Sequence, residues 1–383
     1  MNALPPLSLY VHIPWCVRKC PYCDFNSHES RTLPEQTYVE ALLDDLAADA
    51  ELAAGRPLAS IFFGGGTPSL FQPESITCIL EGVQARLDFS PDIEITLEAN
   101  PGATEYRNLH GLRAAGVNRL SLGVQSFNNR QLERLGRIHS ATEALTAYEA
   151  ARHAGFDNIN LDLMHGLPEQ SLEDAEADLS VALGLAPEHI SWYQLTIEPN
   201  TLFWRRPPQL PPEERLADIN DMGLARLDAA GYRRYEISAF ARPERRSRHN
   251  LNYWQFGDYL GIGAGAHGKI THLDGTVERL WKTRAPGDYL NAASPFIAGR
   301  KPVSPDDRLL EFLMNGLRLE EGVALALYRE RAQLPPETLE RALAPLRARA
   351  LIAEQPERIV ATPLGYRFLN DLLTRISDSL DAQ

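Results

Sequence analysis

Cysteine is scarce in this chain, four among 383 residues. That is too few to staple a fold of this size, so a disulfide scaffold is excluded and a reducing, cytoplasmic setting is expected. Basic charge is also in deficit: 38 Lys and Arg stand against 51 Asp and Glu, a net charge of −13. This balance argues against a protein held to nucleic acid through phosphates or drawn to an anionic membrane surface. No apolar run approaches the roughly 18 residues that span a bilayer. The first residues, MNALPPLSLYVHIPWC, lack the basic start and apolar stretch of a signal peptide. Low-complexity segments and short-period repeats are missing too. With 44% hydrophobic residues the chain can fill a large core and one or two domains.

Three of the four cysteines crowd into eight residues, Cys16, Cys20 and Cys23 of CVRKCPYC. Three thiolates are one short of the set that normally closes an iron–sulfur cluster, which leaves one metal open to a group that is not protein. A zinc site is the competing reading, with His28 as the local fourth ligand. Cys78 lies on a predicted helix and reads as a small buried apolar residue.

The first two-thirds of the chain alternate strand and helix. Strands are predicted at 7–13, 59–63, 93–98, 119–123, 158–163 and 190–196. Helices are predicted at 35–54, 73–87, 104–115, 141–154, 172–185 and 213–230. A βα unit repeated six times is the pattern of parallel sheets and barrels. A short strand at 235–238 and the run GIGAGAHG (261–268) follow. From about Lys301 the composition shifts: helices at 304–319 and 335–349, a hairpin at 351–363 and a last helix at 364–376 suggest a winged-helix-like module. Residues 300–383 hold 12 Lys and Arg against 13 Asp and Glu, not the basic surface of a DNA reader.

Chemistry in a parallel barrel collects at the C-terminal ends of the strands. There this chain places the cysteines, then Gly64-Gly65-Gly66-Thr67-Pro68, Glu98, Gln125 with Arg137 beyond it, Asp162 and Thr196. The glycine run would expose backbone N–H and C=O groups to a ligand, although a plain turn fits it too. Glu98 and Asp162 are acceptors suited to an amine or ribose, or structural caps. Arg137 suits a carboxylate gripped by two parallel bonds.

The cysteine motif, with Tyr22 just before Cys23 and GGGTP after the second strand, resembles the radical S-adenosylmethionine (SAM) superfamily. Tyr10 with Glu98, Gln125, Arg137 and Asp162 is similar to the branch around oxygen-independent coproporphyrinogen III dehydrogenase, through residues 7–270. That enzyme carries a further cysteine where this chain has Phe25, and a long extension where only 15 residues precede Cys16. The string His249-Asn250-Leu251-Asn252-Tyr253-Trp254 resembles the haem-chaperone members of the branch.

The resemblance implies an α/β fold: a partial (β/α)6 TIM-like barrel over 1–235, a mixed connecting segment over 236–300 and a helical, winged-helix-like accessory domain over 301–383. It implies a [4Fe–4S] cluster on Cys16, Cys20 and Cys23. SAM would be held by Tyr10, Tyr22, Gly65, Gly66, Thr67, Glu98, Gln125, Arg137, Asp162 and Thr196. Haem would be held by His249, Tyr253 and Trp254, with His267 a second candidate near the SAM rim. From its flanks alone, Arg248 and Asn250, His249 reads as a surface histidine. The implied function is haem delivery to acceptor proteins such as respiratory membrane enzymes, by a monomer or homodimer with an electron donor for the cluster. The alternative is oxidative decarboxylation of coproporphyrinogen III.

Overall fold

A computed structural model describes residues 4–102, 108–291 and 295–381. Its centre is one open sheet of 12 strands. Numbering only the strands of this sheet, they are β1 (Leu7–Ile13), β2 (Leu58–Gly65), β3 (Phe89–Ala99), β4 (Arg119–Gln125), β5 (Ile159–His165) and β6 (His189–Gln194). Then come β7 (Arg233–Glu236), β8 (Ala239–Ala241), β9 (Asp258–Ile262), β10 (His267–Thr271), β11 (Val277–Lys282) and β12 (Ile297–Pro302). The order across the sheet is β12-β11-β10-β9-β1-β2-β3-β4-β5-β6-β8-β7.

Strands β1 to β6 run parallel in sequence order. One face is apolar, with Leu9, Ile61, Leu97 and Leu120 buried in the core; the other carries buried polar residues such as Ser8, Ser60, Thr96, Ser121 and Asn160, because residues two apart share a face. Six of the seven β1 residues are buried. The covering helices include α1 (Glu35–Asp49), α2 (Pro73–Gln84), α3 (Leu109–Ala114), α4 (Ala141–His153), α5 (Leu172–Leu185) and α6 (Glu213–Ala229). Local sequence sets their starts. Ser140 with Glu143 and Ser171 with Asp174 form reciprocal capping boxes at α4 and α5. The helix expected from Thr104 begins at Leu109; residues 103–107 lie outside the described ones.

The sheet is larger than the six-unit pattern suggests. Strand β9 adds a seventh parallel strand on the free side of β1, and β10 to β12 continue it antiparallel. The seam is sealed by Asp258, fully buried at the start of β9. Its carboxylate accepts from Arg56 (2.7 Å), from Lys269 (2.8 Å) and from the Thr271 amide and hydroxyl (2.9 Å each). Burial alone would raise its pKa, but Lys269, Arg56 and Thr271 outweigh that and hold it below the usual carboxylate value. A depressed carboxylate stabilises the fold above the unfolded value near 4 and loses that contribution as pH falls through the folded value. Asp258→Ala strands the buried Lys269 ammonium and should cost about 3–5 kcal/mol, read as a lower denaturant midpoint at neutral pH that converges with wild type in acid.

The C-terminal part is a second, mainly helical core. After α7 (Arg248–Trp254), its helices are α8 (Pro305–Gly316), N-capped by Ser304 as expected, α9 (Pro336–Arg347) and α10 (Leu369–Asp381). Leu309, Phe312, Leu343, Leu372 and Ile376 pack there with Tyr235, Ala239 and Phe256 from the sheet side. The expected hairpin shrinks to an Ile352–Ala361 bridge, while Arg358–Ile359 pairs with Val323–Ala324. The expected last helix is split, because Phe368 leaves helical geometry between Pro363–Arg367 and α10.

Candidate functional site

The cysteine loop leaves the end of β1 and is pinned by backbone bonds. The Gly66 and Thr67 amides donate to Ile13 and Trp15 carbonyls (2.8 Å each), and the His28 amide donates to Pro14 (2.7 Å). At its far end, Asn26 donates to the carbonyls of Ala264 and Arg284 (2.9 Å each), tying the loop to the turn between β9 and β10 and to the segment that follows β11. This explains the glycine at 66: a Cβ there would run into the Trp15 carbonyl. Gly66→Ala should therefore push the loop off β2, cost about 1–3 kcal/mol and lower the iron retained per chain after reconstitution.

All three loop thiols are half-buried, and each has a polar neighbour. Thr67 donates to Cys16 Sγ (3.6 Å), Arg137 Nη1 to Cys20 Sγ (3.5 Å), and Cys23 Sγ meets Ser27 Oγ at 3.6 Å. Burial raises the Cys16 thiol pKa, partly offset by Thr67. Polar partners at all three sulfurs of one loop, two of them donors, fit a group that takes one thiolate per iron. A single zinc ion fits poorly: among the described residues no three His, Cys, Asp or Glu converge on one metal position, and His28 Nε2 instead meets Asn26 Oδ1 at 3.2 Å. Cys78 is exposed on α2, not buried as expected.

Beside this loop the ends of β1 to β6 form a polar rim. Glu98 Oε2 accepts from the Gly65 amide (3.3 Å). With Gly66 and Thr67 engaged as above, all three amides are spent internally. The glycine run therefore offers a ligand carbonyl acceptors rather than N–H donors, which suits an amine. Burial, with Asp162 nearby, pushes Glu98 up to about 8. Asp162 is raised by burial as well, and accepts from Ser121 (2.9 Å) and Asn160 (2.8 Å). Tyr10 meets His12 Nδ1 at 3.0 Å. Tyr22, packed against Phe203, has its phenol raised by burial.

Arg137 differs from expectation. Its Nη2 donates to Asn100 (2.6 Å) and to the Gly123 carbonyl (2.7 Å), and Nη1 goes to Cys20. Every two-bond grip a guanidinium offers uses Nη2, so what remains is single contacts; Nε is buried without a partner. Thr196 also differs: β6 ends at Gln194, and the exposed Thr196 hydroxyl bonds back to the Gln194 carbonyl. The β6 residue that reaches the rim is Tyr193, whose phenol donates to Gln125 (2.7 Å); Gln125 sits at φ +69°, a strained value for a non-glycine. Tyr193, Asn100 and Asn26 were missed. Strict alternation along HISWYQ, with Trp192 buried in the core, was the available signal for Tyr193.

The radical SAM superfamily model matches residues 10–182, and the HemN C-terminal domain model matches 303–368. The "Heme chaperone HemW" proteins of Haemophilus influenzae and Escherichia coli are each 49% identical, covering 97% of this chain and 98% of their own. The chain belongs to the HemW family of radical SAM proteins. A mitochondrial relative, "Radical S-adenosyl methionine domain-containing protein 1" of Bos taurus, is 38% identical over 82% of this chain and 74% of its own. Among solved structures, coproporphyrinogen III oxidase (HemN) of Escherichia coli superposes with a TM-score of 0.82 at 25% identity, covering 97% of this chain and 90% of that one. The fold is thus the partial radical SAM barrel with a C-terminal helical domain. Membership in the superfamily implies a [4Fe–4S] cluster and SAM, and the loop and rim fit both.

A cavity of about 660 Å³ opens beside the rim, with Tyr10, Gly65 and Glu98 at one end. Its volume is in the range of sites that enclose a small organic ligand. One wall comes from α7 (Arg248–Trp254), which carries the HNLNYW string. His249 is not a surface residue: it is 1% exposed. Its Nδ1 meets Ser60 Oγ at 2.9 Å and its Nε2 meets the Tyr253 phenol at 2.8 Å. Burial lowers its pKa to about 3, so the ring is neutral. His249 and Tyr253 stand four apart on one helical face, and Tyr253 and Trp254 face the cavity. Trp254 lies under the Arg318 guanidinium (4.3 Å).

Proposed function

We propose that this chain handles haem: it holds a [4Fe–4S] cluster and SAM at the strand-end rim, takes haem into the adjoining cavity, and passes it to acceptor proteins. The carrying observation is that one cavity joins Glu98 and Gly65 of the rim to a wall built from HNLNYW. The names of the full-length relatives support the same reading.

Cys16, Cys20 and Cys23 would hold the cluster, and Arg137, Thr67 and Ser27 would donate to their sulfurs. Glu98 and the glycine-run carbonyls would take the SAM amine; Asp162 and Gln125 would offer acceptors to its ribose. Tyr10 and Tyr22 would exclude water from the two sides. When bound, the cluster and SAM supply one-electron chemistry. An electron-donor protein and haem-requiring membrane enzymes are the partners this reading asks for. Among the described residues no helix is long and apolar enough to cross a membrane.

A second reading, porphyrinogen decarboxylation, is favoured by the superposition on HemN. Against it stands Phe25, 62% exposed at the cavity where the decarboxylating branch has a cysteine. Anaerobic incubation of reconstituted protein with SAM, a reductant and coproporphyrinogen III separates the two. No protoporphyrinogen is expected; clear turnover would replace the haem-handling reading with the enzymatic one.

A further inference from the structure

The haem reading leaves the iron without a ligand. His249, the histidine of HNLNYW, has both ring nitrogens engaged and almost no exposure. Reaching an iron would require it to break from Tyr253 and leave its pocket beside Ser60. Two histidines line the cavity, His12 and His267. His12 is also spent, with Nδ1 on Tyr10 and Nε2 on the Asn26 carbonyl (2.9 Å).

His267 is different. It opens β10, directly opposite Trp281 of β11, and Lys269 stands opposite both Arg279 and Tyr259. Cross-strand partners and residues two apart share a face. One face of β9, β10 and β11 thus forms the cavity floor, with His267 and Trp281 at its end nearest the cysteine loop. His267 is exposed into the cavity, and among the described residues neither ring nitrogen has a hydrogen-bond partner. The cations around it are unequal. Arg279 is committed to Glu311 (2.6 Å) and the Tyr259 phenol (2.5 Å), and Lys269 to Asp258. Among the described residues the Arg284 side chain makes only a 3.4 Å contact, from Nε to Asn26, and it is exposed where it lines the cavity. Flat aromatic walls from Trp281, Tyr253 and Phe25 complete the enclosure.

We propose that His267, not His249, supplies the axial imidazole to the haem iron, that Arg284 pairs with a haem propionate, and that His249 serves as a positioning residue holding the Tyr253 phenol in the cavity wall. This rests on the haem-handling reading. It makes the turn that anchors the cysteine loop through Asn26 the same turn that presents the iron ligand, so haem would lie against the rim.

The test is a titration of cluster-containing protein with ferric haem, followed by absorption and electron paramagnetic resonance, for wild type, His267→Ala, His249→Ala and Arg284→Ala. His267 is exposed, so its removal leaves the core intact, and iron–sulfur content checks the fold of each variant. His267→Ala should lose the histidine-ligated signature, bind about tenfold more weakly, and recover the signature on addition of free imidazole. His249→Ala should keep the signature. Arg284→Ala should weaken haem binding but not binding of haem dimethyl ester, whose propionates are blocked. A wild-type spectrum from His267→Ala, or imidazole rescue of a signature lost in His249→Ala, overturns the ligand assignment. Equal weakening of haem and ester in Arg284→Ala overturns the propionate contact. If wild type itself binds no haem, the underlying functional reading fails instead.

Discussion

Alanine at Cys16, Cys20 or Cys23 removes the iron–sulfur cluster, whereas Cys78→Ala leaves iron and sulfide per chain unchanged. The expectation follows from how the loop is built. A cluster with three protein thiolates has no spare ligand, so losing one leaves two irons without protein ligands. No other cysteine can move in, because Cys78 is exposed on α2 and the loop is fixed at both ends, through Gly66 and Thr67 and through Asn26. The polar neighbours add a graded control. Thr67→Val removes a donor to Cys16 and should weaken cluster retention without abolishing it. Iron and sulfide content with the visible absorption of reconstituted protein measures all of these. Loss of the cluster in Cys78→Ala would show that the ligand set is assigned wrongly.

SAM binding at pH 7 should release a proton, and Glu98→Gln should abolish that release. Burial and the neighbouring Asp162 hold the Glu98 carboxyl at about 8, well above its ordinary value, so the ligand-free site carries a proton at neutral pH. A cationic amine placed against it favours the carboxylate and drives the proton off. Affinity should therefore rise as pH approaches 8, where the amine, with an ordinary value of about 7.7–8.0, begins to lose its own proton and the gain ends. The hydrogen bond to a charged group contributes about 1.5–3 kcal/mol, so the Gln variant should bind SAM about ten- to a hundredfold more weakly. Calorimetry in two buffers of different ionisation enthalpy reads the proton directly. Equal apparent enthalpies in both buffers for wild type would place the amine elsewhere.

Much of this site is legible along the chain because parallel strands leave a clear signature. In β1 to β6 apolar core residues alternate with residues on the opposite face, and the polar or glycine residues of that face toward the strand ends share one rim, which is how Glu98, Gln125 and Asp162 come together. Where a strand end is misjudged by two residues, the wrong side chain is picked, as with Thr196 in place of Tyr193. Side-chain commitments are not legible at all. Nothing in the order of residues says that Arg137 spends its Nη2 on Asn100 and Gly123, or that polar flanks hide a fully buried His249. The cavity is the least legible part, because it depends on β9 returning beside β1, a pairing of residues about 250 positions apart. Alternation in HGKIT and VERLWK carries the floor of that cavity, but it gains meaning only once those strands join the sheet.

The most direct test of haem handling is an anaerobic absorbance titration of haem into wild-type protein carrying its cluster. The expected result is a new Soret band that saturates at one haem per chain and transfers to an added apo-acceptor. A signal that grows linearly without saturation, or haem that stays with the buffer, would contradict it.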